Sequence, residues 1–250
     1  MREIVLTDIH GCYDELMRLL ESIGFCSNDV LVGASDCLDK GPHSAKVVKF
    51  LREQAEKGLC RHVRGNHEIK FLKFAKRYDK DPQLAMQMKH SKNMLDTLEN
   101  LSEKDLSWLE SSAFYAKLNQ INGIVIHAGL EPGTKIDVDL SYHYLLDAGK
   151  LSPLFYCRYL KNNKMVRLGQ EDPDCRFWAD EYDGRYGHIF YGHQPWDMQD
   201  PRLTKNTTGL DLGCVTGGRL AAAVIEDGNV QFASVPGKPY AAPYGKKEDD

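Results

Sequence analysis

The chain has 250 residues, of which 42% are hydrophobic and 27% charged, with a formal net charge of −4. That length suffices for one substantial core with a small appendage, and the acidic balance argues against a long nucleic-acid partner, which calls for a basic excess. No apolar run approaches the roughly 20 residues that span a bilayer, so no membrane partner is expected.

Met1-Arg2 leads straight into Ile4-Val5-Leu6 without the long apolar stretch of a leader. Seven scattered cysteines (Cys12, Cys26, Cys37, Cys60, Cys157, Cys175, Cys214) include no C-x-x-C pair. An odd, unclustered set reads as structural thiols in a reducing compartment, so a cytoplasmic location is expected.

The first third alternates strand and helix. Residues 3–7 form a short apolar strand ending at Asp8. Leu16, Leu19, Leu20 and Ile23 then recur at helical spacing, with Gly24 placed to end the helix. Residues 29–33 read as a second strand. Pro42 is suited to opening a helix with Val47, Val48 and Leu51 on its buried face. Residues 60–63 form a third strand candidate that runs into Arg64-Gly65-Asn66-His67.

Residues 67–109 read as helical, broken at Asp81-Pro82 and Leu101-Ser102, with Ser102 and Asp105 spaced as a helix start. A helical cap insert over about residues 67–111 is expected. Strand signals return at 114–118 and 123–126, the second running into His127-Ala128-Gly129. The polar stretch 137–183 carries no clear periodicity. Residues 188–191, 220–225 and 230–235 are strand-like, with Asp227-Gly228 as a hairpin turn. Residues 1–240 are expected to form a single domain, followed by a frayed tail over 241–250. The pattern predicts an α/β fold of two facing mixed sheets with helices outside.

The polar residues fall where chemistry is expected. Strand candidates end at Asp8-Ile9-His10, at the loop holding Asp36, at Asn66-His67, at His127 and at Gly192-His193. In α/β sheets the ligand crevice lies beyond the carboxyl ends of strands, so these groups are predicted to converge. Asp8 and His10, two apart on an extended chain, project to the same side. Carboxylates, imidazoles and an amide without thiolate suit Mn²⁺, Fe or Zn²⁺ better than Ca²⁺ or a structural zinc. Any one of these residues alone is commonplace; the constellation in this order is not.

Thr7-Asp8-Ile9-His10-Gly11, Asp36-Cys37-Leu38-Asp39-Lys40-Gly41, Arg64-Gly65-Asn66-His67-Glu68, His127-Ala128-Gly129 and Gly192-His193 resemble, in order, the signatures of the phosphoprotein-phosphatase branch of calcineurin-like metallophosphoesterases. Within that branch, Arg176-Phe177-Trp178-Ala179, Tyr191-Gly192-His193-Gln194-Pro195, Leu210-Asp211-Leu212-Gly213-Cys214-Val215 and Gly217-Gly218-Arg219-Leu220 look most like bacterial diadenosine tetraphosphatases and the phosphatase domain of bacterial polynucleotide kinase-phosphatase.

The resemblance implies a calcineurin-like fold and a hydrolase holding two divalent metal ions. Mn²⁺ is the expected ion, with Fe, Zn²⁺ and Ni²⁺ as alternatives. Asp8, His10 and Asp36 would hold the first ion, and Asp36, Asn66, His127 and His193 the second. A hydroxide bridging the ions would attack phosphorus in line, with His67 as general acid oriented by Asp39. Asp211 would support the site from behind, and Lys40 would bind substrate, with Arg64 and Arg176 as additional candidates for which a surface or salt-bridge role is the alternative.

The implied substrate is a small phosphorylated molecule, a nucleotide such as diadenosine tetraphosphate; a phosphoprotein is the alternative. Trp196 and Tyr182 are candidates to stack on a base, with core packing as the competing role. Two positions depart from the family pattern: Ser35 stands where glycine usually precedes the bridging aspartate, and Lys40 replaces an arginine. The first is expected to demand some loop adjustment, the second to loosen the grip on phosphate.

Overall fold

The computed structural model of the chain describes residues 1–136 and 152–242. Residues 243–250 of the expected tail and residues 137–151 of the unassigned stretch lie outside them. In chain order the elements are β1 (Arg2–Thr7), α1 (Tyr13–Ser22), β2 (Asp29–Ser35), α2 (Ser44–Glu56) and β3 (Cys60–His62). Four helices follow: α3 (Asn66–Lys80), α4 (Pro82–Ala85), α5 (Ser91–Glu99) and α6 (Glu103–Glu110). The remainder runs β4 (Tyr115–Lys117), β5 (Gly123–Ile126), α7 (Pro153–Tyr156), β6 (Tyr159–Lys161), β7 (Lys164–Met165), β8 (Arg176–Phe177), α8 (Trp178–Glu181), β9 (His188–Tyr191), β10 (Arg202–Leu203), β11 (Thr207–Gly209), β12 (Asp211–Leu212), β13 (Arg219–Glu226) and β14 (Asn229–Pro236).

One sheet has the order β12-β13-β1-β2-β3, with β14 beside β13; a second has the order β10-β11-β9-β5-β4. β1, β2 and β3 are parallel, as are β5, β9 and β11, while β13 and β4 run antiparallel to their neighbours. The expected hairpin joins β13 to β14, with Asp227 at φ 48° and Gly228 at φ 81° in the left-handed region that such a turn requires.

Side-chain alternation along β1 builds the layers. Ile4 and Leu6 join an apolar cluster with Leu16 and Leu19 of α1 and Val47 and Leu51 of α2. Val5, pointing the other way, meets Val32, Val125, Phe190 and Ile225. The latter set comes from both sheets, so the sheets face each other across it. Each fully buried aliphatic or aromatic side chain here contributes about 1.5–3 kcal/mol.

The helical segment carries the breaks expected at Asp81-Pro82 and Leu101-Ser102 and a further one ahead of α5, where His90 takes φ 64°. Phe71, Phe74, Met94 and Leu109 from this segment join the α1–α2 cluster. Part of the stretch left without assignment forms a small sheet, β7-β6-β8.

Candidate active site

Two loops zip together beyond β1 and β2. The Asp8, His10 and Gly11 amides donate to the carbonyls of Ser35, Asp36 and Cys37 at 2.8, 2.7 and 3.0 Å. Gly192 N donates to His127 O at 2.9 Å, joining the loops after β9 and β5. Two glycines permit the closest approaches. A Cβ on Gly65 would lie 2.0 Å from Asp36 Oδ1, and one on Gly192 would lie 1.7 Å from Asp8 Oδ2.

Asp8 and His10 do not sit on extended chain as their spacing suggested. Both are left-handed, at φ 50° and 45°, and the turn brings His10 Nε2 to 3.9 Å from Asp8 Oδ1. Asp36 (φ 43°), Asp39 (70°), Lys40 (69°) and His193 (66°) share this conformation. Non-glycine residues pay for such φ values with strain, and clustering of that strain marks functional sites.

All six expected metal-ligand residues meet in this crevice. His127 Nε2 lies 2.8 Å from Asn66 Oδ1, 3.2 Å from His193 Nδ1 and 3.4 Å from Asp36 Oδ2. His10 Nε2 lies 3.8 Å from the same Asp36 oxygen, and Asp8 accepts the His193 amide on both carboxylate oxygens. Ligand atoms of Asp36, His127 and His193 fall within 4.8 Å of one another, as do those of His10, Asp36 and His67. Asp36 belongs to both groups.

The electrostatics fit cations. Burial raises the pKa of Asp8, aided by the Asp211 charge, and that of Asp36, aided by Glu68 and Asp8. Burial likewise raises Asp211, whose carboxylate accepts the Gly213 amide at 3.0 Å. It lowers His10, His127 and His193, keeping the imidazoles neutral with lone pairs exposed. If His127 Nδ1 donates to Ser35 Oγ, 3.0 Å away, its Nε2 is an acceptor facing the oxygen of Asn66 and the carboxylate of Asp36. Acceptors crowded against acceptors are the donor set of a divalent ion.

His67 Nδ1 lies 2.8 Å from Asp39 Oδ2, and its Nε2 is 3.9 Å from Asp36 Oδ2 at the edge of the group. Burial opposes ionisation of Asp39, yet the hydrogen bond and charge of His67 and the charge of Lys70 hold its pKa far below the ordinary carboxylate range. Asp39 is therefore a fixed anion that orients the ring.

A cavity of about 530 Å³ opens over these groups, lined by Asp8, His10, Asp36, Asn66, His67 and His193. Lys40 is on its wall, with Nζ 3.0 Å from His10 Nε2. Arg64 and Arg176, expected to bind substrate, do not line it. Arg64 donates to the carbonyls of Leu109 and Glu110 and lies over the Phe114 ring, locking β3 to the end of α6. Arg176 opens β8 and is exposed.

The arginines that line it are Arg158 and Arg167. Sequence reading missed both, because the stretch around β6 and β7 has no periodicity to orient a side chain. Tyr156, Val166 and Leu168 add an apolar wall, on which Tyr156 and Leu168 are 42% and 63% exposed. Trp196 and Tyr182 are not on it. Trp196 packs edge-on to Phe177 and beneath Arg202, and the Tyr182 hydroxyl accepts from Tyr186 N at 2.7 Å.

The family model for calcineurin-like phosphoesterases matches residues 1–232. The chain belongs to this family. The family implies divalent metal ions, and hydrolysis of phosphate esters is its chemistry. The chain is 30% identical to the bis(5'-nucleosyl)-tetraphosphatase PrpE [asymmetrical] of Bacillus subtilis over 93% of each chain, and 32% identical to the protein of that name from Bacillus velezensis over 86% of each.

Among solved structures, one provisionally named a diadenosine tetraphosphatase superposes with a TM-score of 0.69 at 28% identity, covering 95% of this chain and 94% of the other. A cold-active protein-tyrosine phosphatase from a psychrophilic Shewanella shares the fold at 19% identity and a TM-score of 0.55, covering 92% of this chain and 80% of its own. No helix among the described residues is long and apolar enough to cross a membrane.

Proposed function

We propose that this phosphoesterase hydrolyses dinucleoside polyphosphates, with diadenosine tetraphosphate as the representative substrate and asymmetric cleavage as the outcome, using two divalent ions. Asp8, His10 and Asp36 would hold one ion and Asp36, Asn66, His127 and His193 the other, with Mn²⁺ the favoured metal. The observation that carries this reading is the shared carboxylate: Asp36 Oδ2 lies 3.8 Å from His10 Nε2 and 3.4 Å from His127 Nε2, between two groups of ligand atoms.

When bound, the ions neutralise charge on the phosphoryl oxygens and lower the pKa of water for in-line attack on phosphorus. The chain's own residues do the rest. His67, held by Asp39, faces the cavity and donates a proton to the departing oxygen. Lys40, Arg158 and Arg167 place positive charge along the wall where a polyphosphate would run. The Tyr156–Val166–Leu168 wall offers an apolar face to a nucleoside. The names of the curated relatives point to the same substrate class.

The deciding experiment is a substrate panel with Mn²⁺ and product identification. Diadenosine tetraphosphate should be hydrolysed to two unequal nucleotides faster than phosphopeptides are dephosphorylated. The reverse order would replace this reading with a protein phosphatase.

A further inference from the structure

Behind the crevice, on the far side of the loop that presents Asp36, lies a second group of ligand-type side chains. Cys37 follows Asp36, His62 ends β3, and Glu68 is in the first turn of α3. Their ligand atoms, one thiol sulfur, one ring nitrogen and one carboxylate oxygen, all lie within 4.8 Å of one another. Cys37 and Glu68 are fully buried and His62 is 6% exposed.

His62 is the anomaly. Its ring stacks on Trp108 with centroids 4.8 Å apart, and its buried ring nitrogens make no well-formed hydrogen bond, with only the backbone carbonyls of Gly33 and Ala34 nearby. Buried polar atoms are nearly always paired, and one that is not asks for a water or an ion. Burial lowers the pKa of this imidazole, so the ring is neutral and offers a lone pair.

Glu68 makes the complementary demand. Its carboxylate accepts the amides of Cys37 at 2.7 Å, Gly65 at 2.7 Å and Asp36 at 3.1 Å. A carboxylate has about four lone-pair sites, so one remains, and the Cys37 thiol is the group that faces it. Among the described residues no Lys, Arg or His lies within ion-pair distance of this buried carboxyl group.

We propose that Cys37, His62 and Glu68 form a zinc site of three protein ligands, with water in the fourth position, separate from the catalytic group and pinning together the three segments that present Asp36 and Asn66. Sulfur, imidazole nitrogen and carboxylate are zinc's ligand types, and a thiolate selects against Mn²⁺ and Mg²⁺. On binding, the Cys37 thiol proton is released to solvent and the S–Zn bond takes its place. The catalytic group contains no sulfur, so the two sites are chemically distinguishable. The proposal does not depend on which phosphate ester the enzyme cleaves.

The test is metal analysis of the purified full chain after prolonged dialysis against a chelator. One equivalent of zinc should be retained in the wild type and lost in Cys37→Ser and in His62→Phe. Protein produced in cobalt-supplemented medium should show a thiolate-to-cobalt charge-transfer absorption that Cys37→Ser removes. Wild-type protein with no retained zinc and no such band overturns the proposal, and this reading stands even if a variant fails to fold. Zinc retained undiminished in both folded variants overturns it equally.

Discussion

Ser35 Oγ lies 3.0 Å from His127 Nδ1, with both residues fully buried, so the residue that departs from the family's glycine grips the ring of a proposed metal ligand. The loop adjustment expected of a side chain here is taken up next door. Ala34 adopts φ 48°, and the β1–β2 register slips so that Thr7 pairs with Ser35. A partner on the far nitrogen fixes the tautomer and aim of a ligating imidazole, and its removal typically costs about 10–100-fold in metal affinity or activity. Ser35→Ala should raise the Mn²⁺ concentration needed for half-maximal activity about tenfold. Titration of activity against Mn²⁺ checks this, and an unchanged midpoint would assign the serine to packing alone.

His67 and Asp39 are expected to act on the leaving group, not on metal retention. His67→Ala should keep its metal content while the rate falls by about 10²–10⁴. The loss should be largest for a nucleotide or alkyl leaving group and small for an aryl phosphate, whose phenolate departs without a proton. Asp39→Asn should fall in between, since the ring stays but loses the anion 2.8 Å away. Comparing the two substrates with both variants reads the effect directly.

Asp36 is the residue that both ligand groups share. Asp36→Asn should lose turnover with every substrate, and elemental analysis should show reduced Mn²⁺ occupancy. Chelator treatment of the wild type should lower Tm, because Asp8, Asp36 and Asp211 are left as buried acids crowded together. Restored Mn²⁺ should recover Tm.

How much of this was legible in the sequence follows from what each residue depends on. Asp8, Asp36, Asn66, His127 and His193 could be placed because each follows a parallel strand, and parallel strands deliver their carboxyl ends to one edge. Arg64 could not: it neighbours Asn66 in sequence, but its side chain leaves toward α6 and the carbonyls of Leu109 and Glu110. Arg158 depends on tertiary placement of a short strand after α7, where its guanidinium donates to His193 O at 2.8 Å. No local pattern encodes that contact. The grouping of His62 with Cys37 and Glu68 was equally invisible, since a histidine within Cys60-Arg61-His62 reads as an ordinary strand residue.

Asp105 offers a stability prediction away from the site. It accepts from Ser102 N at 2.8 Å in a capping box and from Arg52 Nε at 2.6 Å, tying α6 to α2. Burial pushes its pKa up, but the Ser102 and Arg52 hydrogen bonds outweigh this and hold it below the ordinary value. A carboxylate with a depressed folded pKa stabilises above the unfolded value, near 3.9, and that contribution is lost as pH falls through the folded pKa. Asp105→Asn should therefore cost about 1–2 kcal/mol at neutral pH and much less at an acid pH low enough to protonate Asp105 in the folded chain. Urea unfolding at both pH values measures the difference, and an equal loss at each would show that the charge contributes nothing.

The cavity wall supplies the test of specificity. Leu168 is 63% exposed and Tyr156 42% exposed, yet both face the chamber that holds the catalytic group. If a nucleoside rests there, truncating Leu168 removes apolar contact from the bound substrate and leaves the phosphate end untouched. Leu168→Ala should then raise KM for diadenosine tetraphosphate about 5–30-fold, in line with about 1–2 kcal/mol of lost burial. kcat should hold, and kcat/KM for inorganic tripolyphosphate or an aryl phosphate should be unchanged. Arg158→Ala should differ in kind. It removes positive charge from the phosphate path and a hydrogen bond to the His193 carbonyl, so it should lower kcat/KM for every phosphorylated substrate. Parallel kinetics on the two variants separate the roles: a Leu168 effect that extends equally to tripolyphosphate would mean that the wall supports the loop and does not seat a base.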